Sequence, residues 1–200
     1  MLLKFCGLTR QEDCEMAREL GADFCGFIFH PKSPRFISPE RAARLECGPV
    51  ARVGVFTDCD AAKIVETARM ARLDYVQLHG NQPESIAKAV GLPVIRVLWP
   101  ERHGSIPELV EAASRHCADY FLLDAGKSGG GSGKTLAFTS LAGIALAAPW
   151  LLAGGLSAQN IPDALAACSP AGLDINSGVE SAPGQKDASK MKEVWNVVKN

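Results

Sequence analysis

Short apolar runs recur along this chain at intervals of about 25 residues, and each is followed by a stretch with helix start and stop signals. The runs occupy residues 2–6, 24–29, 50–56, 75–79, 93–99, 120–124, 149–155 and 172–175. Helices are expected at 10–20, 39–45, 60–72, 83–90, 106–116, 138–147, 158–167 and 186–198, with Thr9 and Ser38 as caps of the first two and Gly21 ending the first. Apolar runs this short, without alternation, read as parallel strands buried on both faces. Such an alternation makes either an open doubly wound sheet or a closed barrel, and eight consecutive units with no domain-sized insertion favour closure. The chain is therefore expected to fold as a single-domain (β/α)8 TIM barrel spanning residues 1–200, at the small end of that class.

Composition narrows the partners. A hydrophobic fraction of 47% supports one sizeable core. A net charge of -1 with scattered lysines and arginines offers no footprint for nucleic acid or an anionic membrane, so neither is expected as a partner. Seven cysteines, an odd number with no CxxC pair and no signal peptide before them, point to a reducing cytoplasm and to thiols packed as small hydrophobes. No His, Cys or carboxylate cluster has ligand spacing, so no metal is expected.

In a barrel of this kind the active site lies at the carboxyl ends of the strands. The residues leaving the strands are Cys6, His30 with Arg35, Phe56 with Thr57, His79, Trp99, Asp124, Gly154 with Gly155, and 176–178. Asp124 is the first candidate for chemistry, being the polar end of the buried run YFLLD. Lys4 and Cys6 are two apart and share a face, which places a cation where it favours a thiolate. The seventh and eighth exits, AGGLS (153–157) and NSGVE (176–180), have the small residues that present backbone N–H groups to a phosphate at helix N-termini. Arg35, in a proline-stiffened loop, is a planar donor for a carboxylate or phosphate oxygen. His30, His79, His103 and His116 have no evident partner and are expected in surface or structural roles. After Asp124 comes a glycine-rich loop, SGGGSGKT, in which both frames of a GxxxxGK[ST] nucleotide cradle fail because Ser128 and Phe121 stand where its first glycine belongs. A loop that closes over the site fits better.

Taken together, KFCGLT (4–9), GFIFHPKSPRF (26–36), QLHG (77–80), LLDAGKSGGGSGKT (122–135), LAGGL (152–156) and GLDINSGVE (172–180) resemble the phosphoribosylanthranilate isomerases of tryptophan biosynthesis. The resemblance implies a cofactor-free barrel acting on a phosphorylated sugar, N-(5-phosphoribosyl)anthranilate. It implies Cys6 as general base and Asp124 as general acid, the first lowered in pKa by Lys4 and the second raised by partial burial. It further implies that Arg35 holds the anthranilate carboxylate and that Gly154, Gly155, Ser177 and Gly178 hold the phosphate, while Asp174 orients the substrate or supports its strand. Phe5, Asn176 and the LAF at 136–138 depart from the family pattern, where isoleucine, serine and Phe-Asp-Trp are usual. A related histidine-pathway isomerase would need an aspartate at the first exit, where this chain has Cys6. A nucleotide-binding module would rest on the glycine loop alone, and a non-catalytic barrel would have no use for the pair Cys6 and Asp124. Oligomeric state is not legible in the sequence.

Overall fold

Pairing between the first and last strands closes the sheet. The computed structural model describes residues 1–125 and 138–199. Within them β1 (Leu2–Phe5), β2 (Phe24–Ile28), β3 (Ala51–Phe56), β4 (Tyr75–Leu78), β5 (Val94–Leu98), β6 (Tyr120–Asp124), β7 (Trp150–Ala153) and β8 (Gly172–Ile175) run parallel in sequence order around a closed barrel. In the closing pair, Leu2 and Lys4 of β1 stand opposite Gly172 and Asp174 of β8. The fold is the (β/α)8 barrel expected from the alternation.

Side chains on a strand alternate between faces, so each strand feeds two cores. Phe24, Val53, Ile95, Val97, Leu122 and Leu151 fill the barrel interior, while Leu3, Phe5, Phe27, Leu78 and Ile175 belong to the layer between strands and helices. At the amino-terminal end Phe24, Tyr75 and Tyr120 pack ring against ring, with centroids 5.3 to 6.3 Å apart. These bulky rings fill that end.

The outer layer is built from α1 (Gln11–Glu19), α2 (Pro39–Arg44), α3 (Ala61–Met70), α4 (Glu84–Val90), α5 (Ile106–Ser114), α6 (Ile161–Ala167) and α7 (Ala188–Lys199). Ser38, Asp60 and Ser105 cap α2, α3 and α5 through side-chain oxygens that accept from the backbone three residues on. Four expectations need correction. Thr9 does not cap α1, because its hydroxyl donates instead to the carbonyl of Gly184 at 2.6 Å. In place of a helix over 138–147 there is a 3₁₀ turn, Phe138–Leu141, ended by Gly143 in the left-handed region at φ 72°. α6 starts at Ile161 rather than at 158, because the Asn160 side chain bonds back to the Ser157 N–H and the Gly155 carbonyl. The last helix, α7, starts two residues later than expected, since a hairpin of β9 (Glu180–Ala182) and β10 (Gln185–Lys186) takes up Lys186 and the Asp187 carboxylate caps the helix from outside its first residue. The glycine loop, with the nucleotide and closing-loop readings placed on it, lies outside the described residues.

Candidate active site

A cavity of about 340 Å³ opens among the carboxyl ends of the strands. Cys6, Arg35, Asp124, Gly154, Gly155, Asp174 and Ser177 all line it, so seven candidate residues from five strands converge on one space. Lys4 and Gly178 stand behind its wall. Lys4 is wholly buried, and Gly178 lies so close to the Leu156 carbonyl that a Cβ there would overlap it.

The first strand sets the floor. Cys6 and Lys4 share the inward face, and the Lys4 ammonium donates to Asp174 Oδ1 at 2.9 Å across the β1–β8 register. Gly26 of β2 makes the room, since a Cβ at that position would sit 2.9 Å from Cys6 Sγ and 3.1 Å from Lys4 Nζ. Burial alone would lower the Lys4 pKa, but Asp174 and Cys6 more than offset it and the net direction is up. Cys6 departs from expectation. Burial pushes its thiol up, Asp174 adds to that, and Lys4 and Lys186 oppose it without prevailing. Lys4 therefore limits the cost of a thiolate rather than producing one.

At the sixth exit Asp124 is 4% exposed, and His79, at the exit of β4, brings Nε2 to 3.7 Å from its Oδ2. The Gln77 amide nitrogen lies 3.2 Å from the other ring nitrogen, Nδ1. An amide N–H can only donate, so in this orientation Nδ1 accepts and the ring proton sits on Nε2, toward Asp124. Burial, then Lys4 and Arg102, hold His79 down to about 4. The ring is thus neutral near pH 7, and it packs edge-on against Trp99 at 5.4 Å, which in turn lies under the Arg102 guanidinium. The surface or structural role expected for His79 and His30 needs correction. Both line the cavity, His30 with Nδ1 2.8 Å from Thr57 Oγ1. A signal is present for His79, which is two residues past Gln77 on an inward face, but its neighbours come from other strands.

Acid stability depends on that neutral ring. The folded pKa lies below the ordinary 6.5, so protonation favours the unfolded chain; the contribution is present above pH 6.5 and lost as pH falls toward about 4. We expect a loss of about 2 kcal/mol over that window. Urea unfolding at either end of it should show this loss in the wild type and a smaller one in His79→Gln; equal losses would remove the ring as its source.

Arg35 is already engaged. Its Nε and Nη2 donate to both oxygens of Glu180 at 2.8 and 2.7 Å, using two of the five N–H donors that a guanidinium has. Burial would raise the Glu180 carboxyl, but Arg35 and Lys186 hold it below the usual range. On the other wall Gly154 and Gly155 take φ of 107° and 70°, conformations that glycine adopts without strain. Neither loop opens directly into an α-helix as expected, because β8 leads into a 3₁₀ turn, Ser177–Val179, and α6 begins beyond Asn160. Among the described residues no group of three or more His, Cys, Asp or Glu is placed to hold a metal ion, and no helix is long and apolar enough to cross a membrane.

Comparison with known proteins points in one direction. The family described as N-(5'phosphoribosyl)anthranilate (PRA) isomerase matches residues 3–197. An N-(5'-phosphoribosyl)anthranilate isomerase from Desulfovibrio desulfuricans is 54% identical over 195 residues, which cover 96% of this chain and 92% of that one. Among solved structures, the phosphoribosyl anthranilate isomerase of Thermus thermophilus is 38% identical, with a TM-score of 0.89 over 100% of this chain and 98% of its own. A second isomerase structure, in complex with reduced 1-(o-carboxyphenylamino)-1-deoxyribulose 5-phosphate, is 31% identical with a TM-score of 0.84 over the same shares.

Proposed function

The chain belongs to the N-(5'-phosphoribosyl)anthranilate isomerase family, and from that membership we propose that this isomerase of tryptophan biosynthesis converts N-(5-phosphoribosyl)anthranilate to 1-(2-carboxyphenylamino)-1-deoxyribulose 5-phosphate. The observation that carries the mechanism is that one cavity, between loops built for small anionic groups, holds both a carboxyl, Asp124, and a thiol, Cys6. They leave strands three apart around the ring, so a bound sugar can meet the two from different sides.

In the proposed rearrangement Asp124 gives a proton to the furanose ring oxygen as the bond from that oxygen to C1′ breaks. The nitrogen lone pair completes a Schiff-base cation. Cys6 thiolate then takes the C2′ proton, the electrons of that C–H bond neutralise the cation as an enolamine, and tautomerisation gives the ketone. This order makes sense of a thiol that burial pushes up, because the Schiff-base cation adds the positive charge that Lys4 alone does not supply. Asp174 holds Lys4 in place beneath. Arg35 meets the anthranilate carboxylate with the donors that Glu180 leaves, and the phosphate sits between Gly154, Gly155, Ser177 and Gly178. No cofactor is needed for a proton shuttle of this kind. Seven free thiols suit a cytoplasmic setting.

The direct test is decay of substrate fluorescence when phosphoribosylanthranilate, made freshly from anthranilate and phosphoribosyl pyrophosphate, meets the purified protein without metal or nucleotide. Acceleration over the spontaneous rate is expected, and none from a folded protein would reject the reading. Gly178→Ala probes the phosphate loops. Its methyl must push the eighth loop off the Leu156 carbonyl, and KM should rise about tenfold or more while kcat changes less. An unchanged KM would take the phosphate away from that loop.

A further inference from the structure

We propose that Lys186, on the short hairpin after the eighth strand, is a positioning residue for the isomerisation: its buried ammonium ties Glu180 to Asn176 and so sets both the seat of Arg35 and the charge around Cys6. The inference rests on the function proposed above for Cys6 and Arg35. The Lys186 side chain is wholly buried, and its three N–H donors each have an acceptor: the Asn176 carbonyl at 3.0 Å, Asn176 Oδ1 at 2.9 Å and Glu180 Oε1 at 2.9 Å. Three oxygens around one nitrogen suit an ammonium and leave a neutral amine one donor short.

The positions of those acceptors give the lysine two effects. Asn176 leaves β8 immediately before Ser177, so the lysine fixes the backbone from which the eighth loop departs. Glu180 is the residue whose two oxygens hold Arg35, so the lysine also fixes the guanidinium. The hairpin is anchored from outside as well, because Arg10 donates to the Lys186 carbonyl at 2.8 Å and Thr9 to the Gly184 carbonyl at 2.6 Å. Around Cys6 stand Lys4 from β1, Asp174 from β8, Lys186 from β10 and, from the loop after β2, Arg35. Lys4 and Lys186 are thus two buried cations that favour the thiolate, Lys4 paired with Asp174 and Lys186 sharing Glu180 with Arg35. Glu180 and Asp174 offset two of the three cations, Lys4, Lys186 and Arg35, and leave the wall with an excess of positive charge for an anionic substrate.

Alkylation by iodoacetamide separates this role from a structural one, with or without isomerase activity. Peptide mass spectrometry follows Cys6, with exposed Cys117 as the reference and buried Cys14 and Cys25 as reporters of an intact fold. Thiolate reacts and thiol does not. Lys186→Met should therefore slow Cys6 labelling about fivefold relative to Cys117 while Cys14 and Cys25 stay protected, and Lys186→Arg should restore it. A scaffold role alone predicts the reverse, faster Cys6 labelling as the floor loosens, and either that or an unchanged rate would overturn the proposal. Should Lys186→Met not fold, Lys186→Gln carries the test. Its amide can still donate to Asn176 and Glu180 but has no charge, so Cys6 labelling should again slow with Cys14 and Cys25 still protected, and an unchanged or faster rate would overturn the proposal equally. In turnover Lys186→Met should also raise KM more than Lys186→Arg does, through the unseated Arg35. If the wild type labels as described but does not isomerise phosphoribosylanthranilate, the functional reading fails and the charge arrangement stands.

Discussion

Replacing Asp124 by asparagine is expected to lower kcat by about a thousandfold or more, with KM changed little and the melting temperature within a few degrees of the wild type. The amide has the shape of the carboxyl and fills the same inward site at the end of β6, so the β6–β7 register that carries it has no reason to shift. It cannot hand over a proton. If sugar ring opening needs that proton, the rate falls back toward what binding and the remaining electrostatics provide. His79 does not substitute for it, because burial keeps that ring neutral down to about pH 4. Near wild-type turnover in the folded variant would remove Asp124 from the role of acid.

Cys6→Ser is expected to cost about a hundredfold to ten-thousandfold in kcat. The hydroxyl is smaller than the thiol, so the space that Gly26 provides accommodates it, and the Cys6 N–H bond to the Ile175 carbonyl at 2.9 Å is untouched. The loss lies in the proton affinity of the atom. A serine hydroxyl ionises far less readily than a thiol, and neither Lys4 nor the Schiff-base cation closes that gap. KM should stay within about threefold of the wild type, since carboxylate and phosphate are held elsewhere. A variant that keeps kcat would move the base to another group; one that loses both kcat and fold would show that the thiol serves packing.

Both substitutions fall on residues that local sequence marks. An apolar run that ends in a carboxylate, and a lysine two residues before a cysteine on the same strand face, are visible without any knowledge of what lies opposite. The same holds for the barrel, because eight apolar runs spaced by helix signals leave a parallel closed sheet as the consistent packing. Boundaries are less legible where side chains find distant partners. Thr9 is a plausible cap by local rules and is instead bound to Gly184, while Lys186 reads as the start of a helix but serves a hairpin that reaches back to Arg10.

The linear chain is enough to specify the strand order, the shared face of Lys4 and Cys6, and the set of groups delivered to the carboxyl end, because strand periodicity and short connections are local properties. It does not specify which of those groups meet or what charge they have. Arg35 finds Glu180 across 145 positions, Lys4 finds Asp174 across 170, His79 comes to stand beside Asp124, and the Cys6 thiol is pushed up rather than down. A pKa and an ion pair depend on distance and burial in space, and closing the barrel brings the two ends of the chain to the same wall.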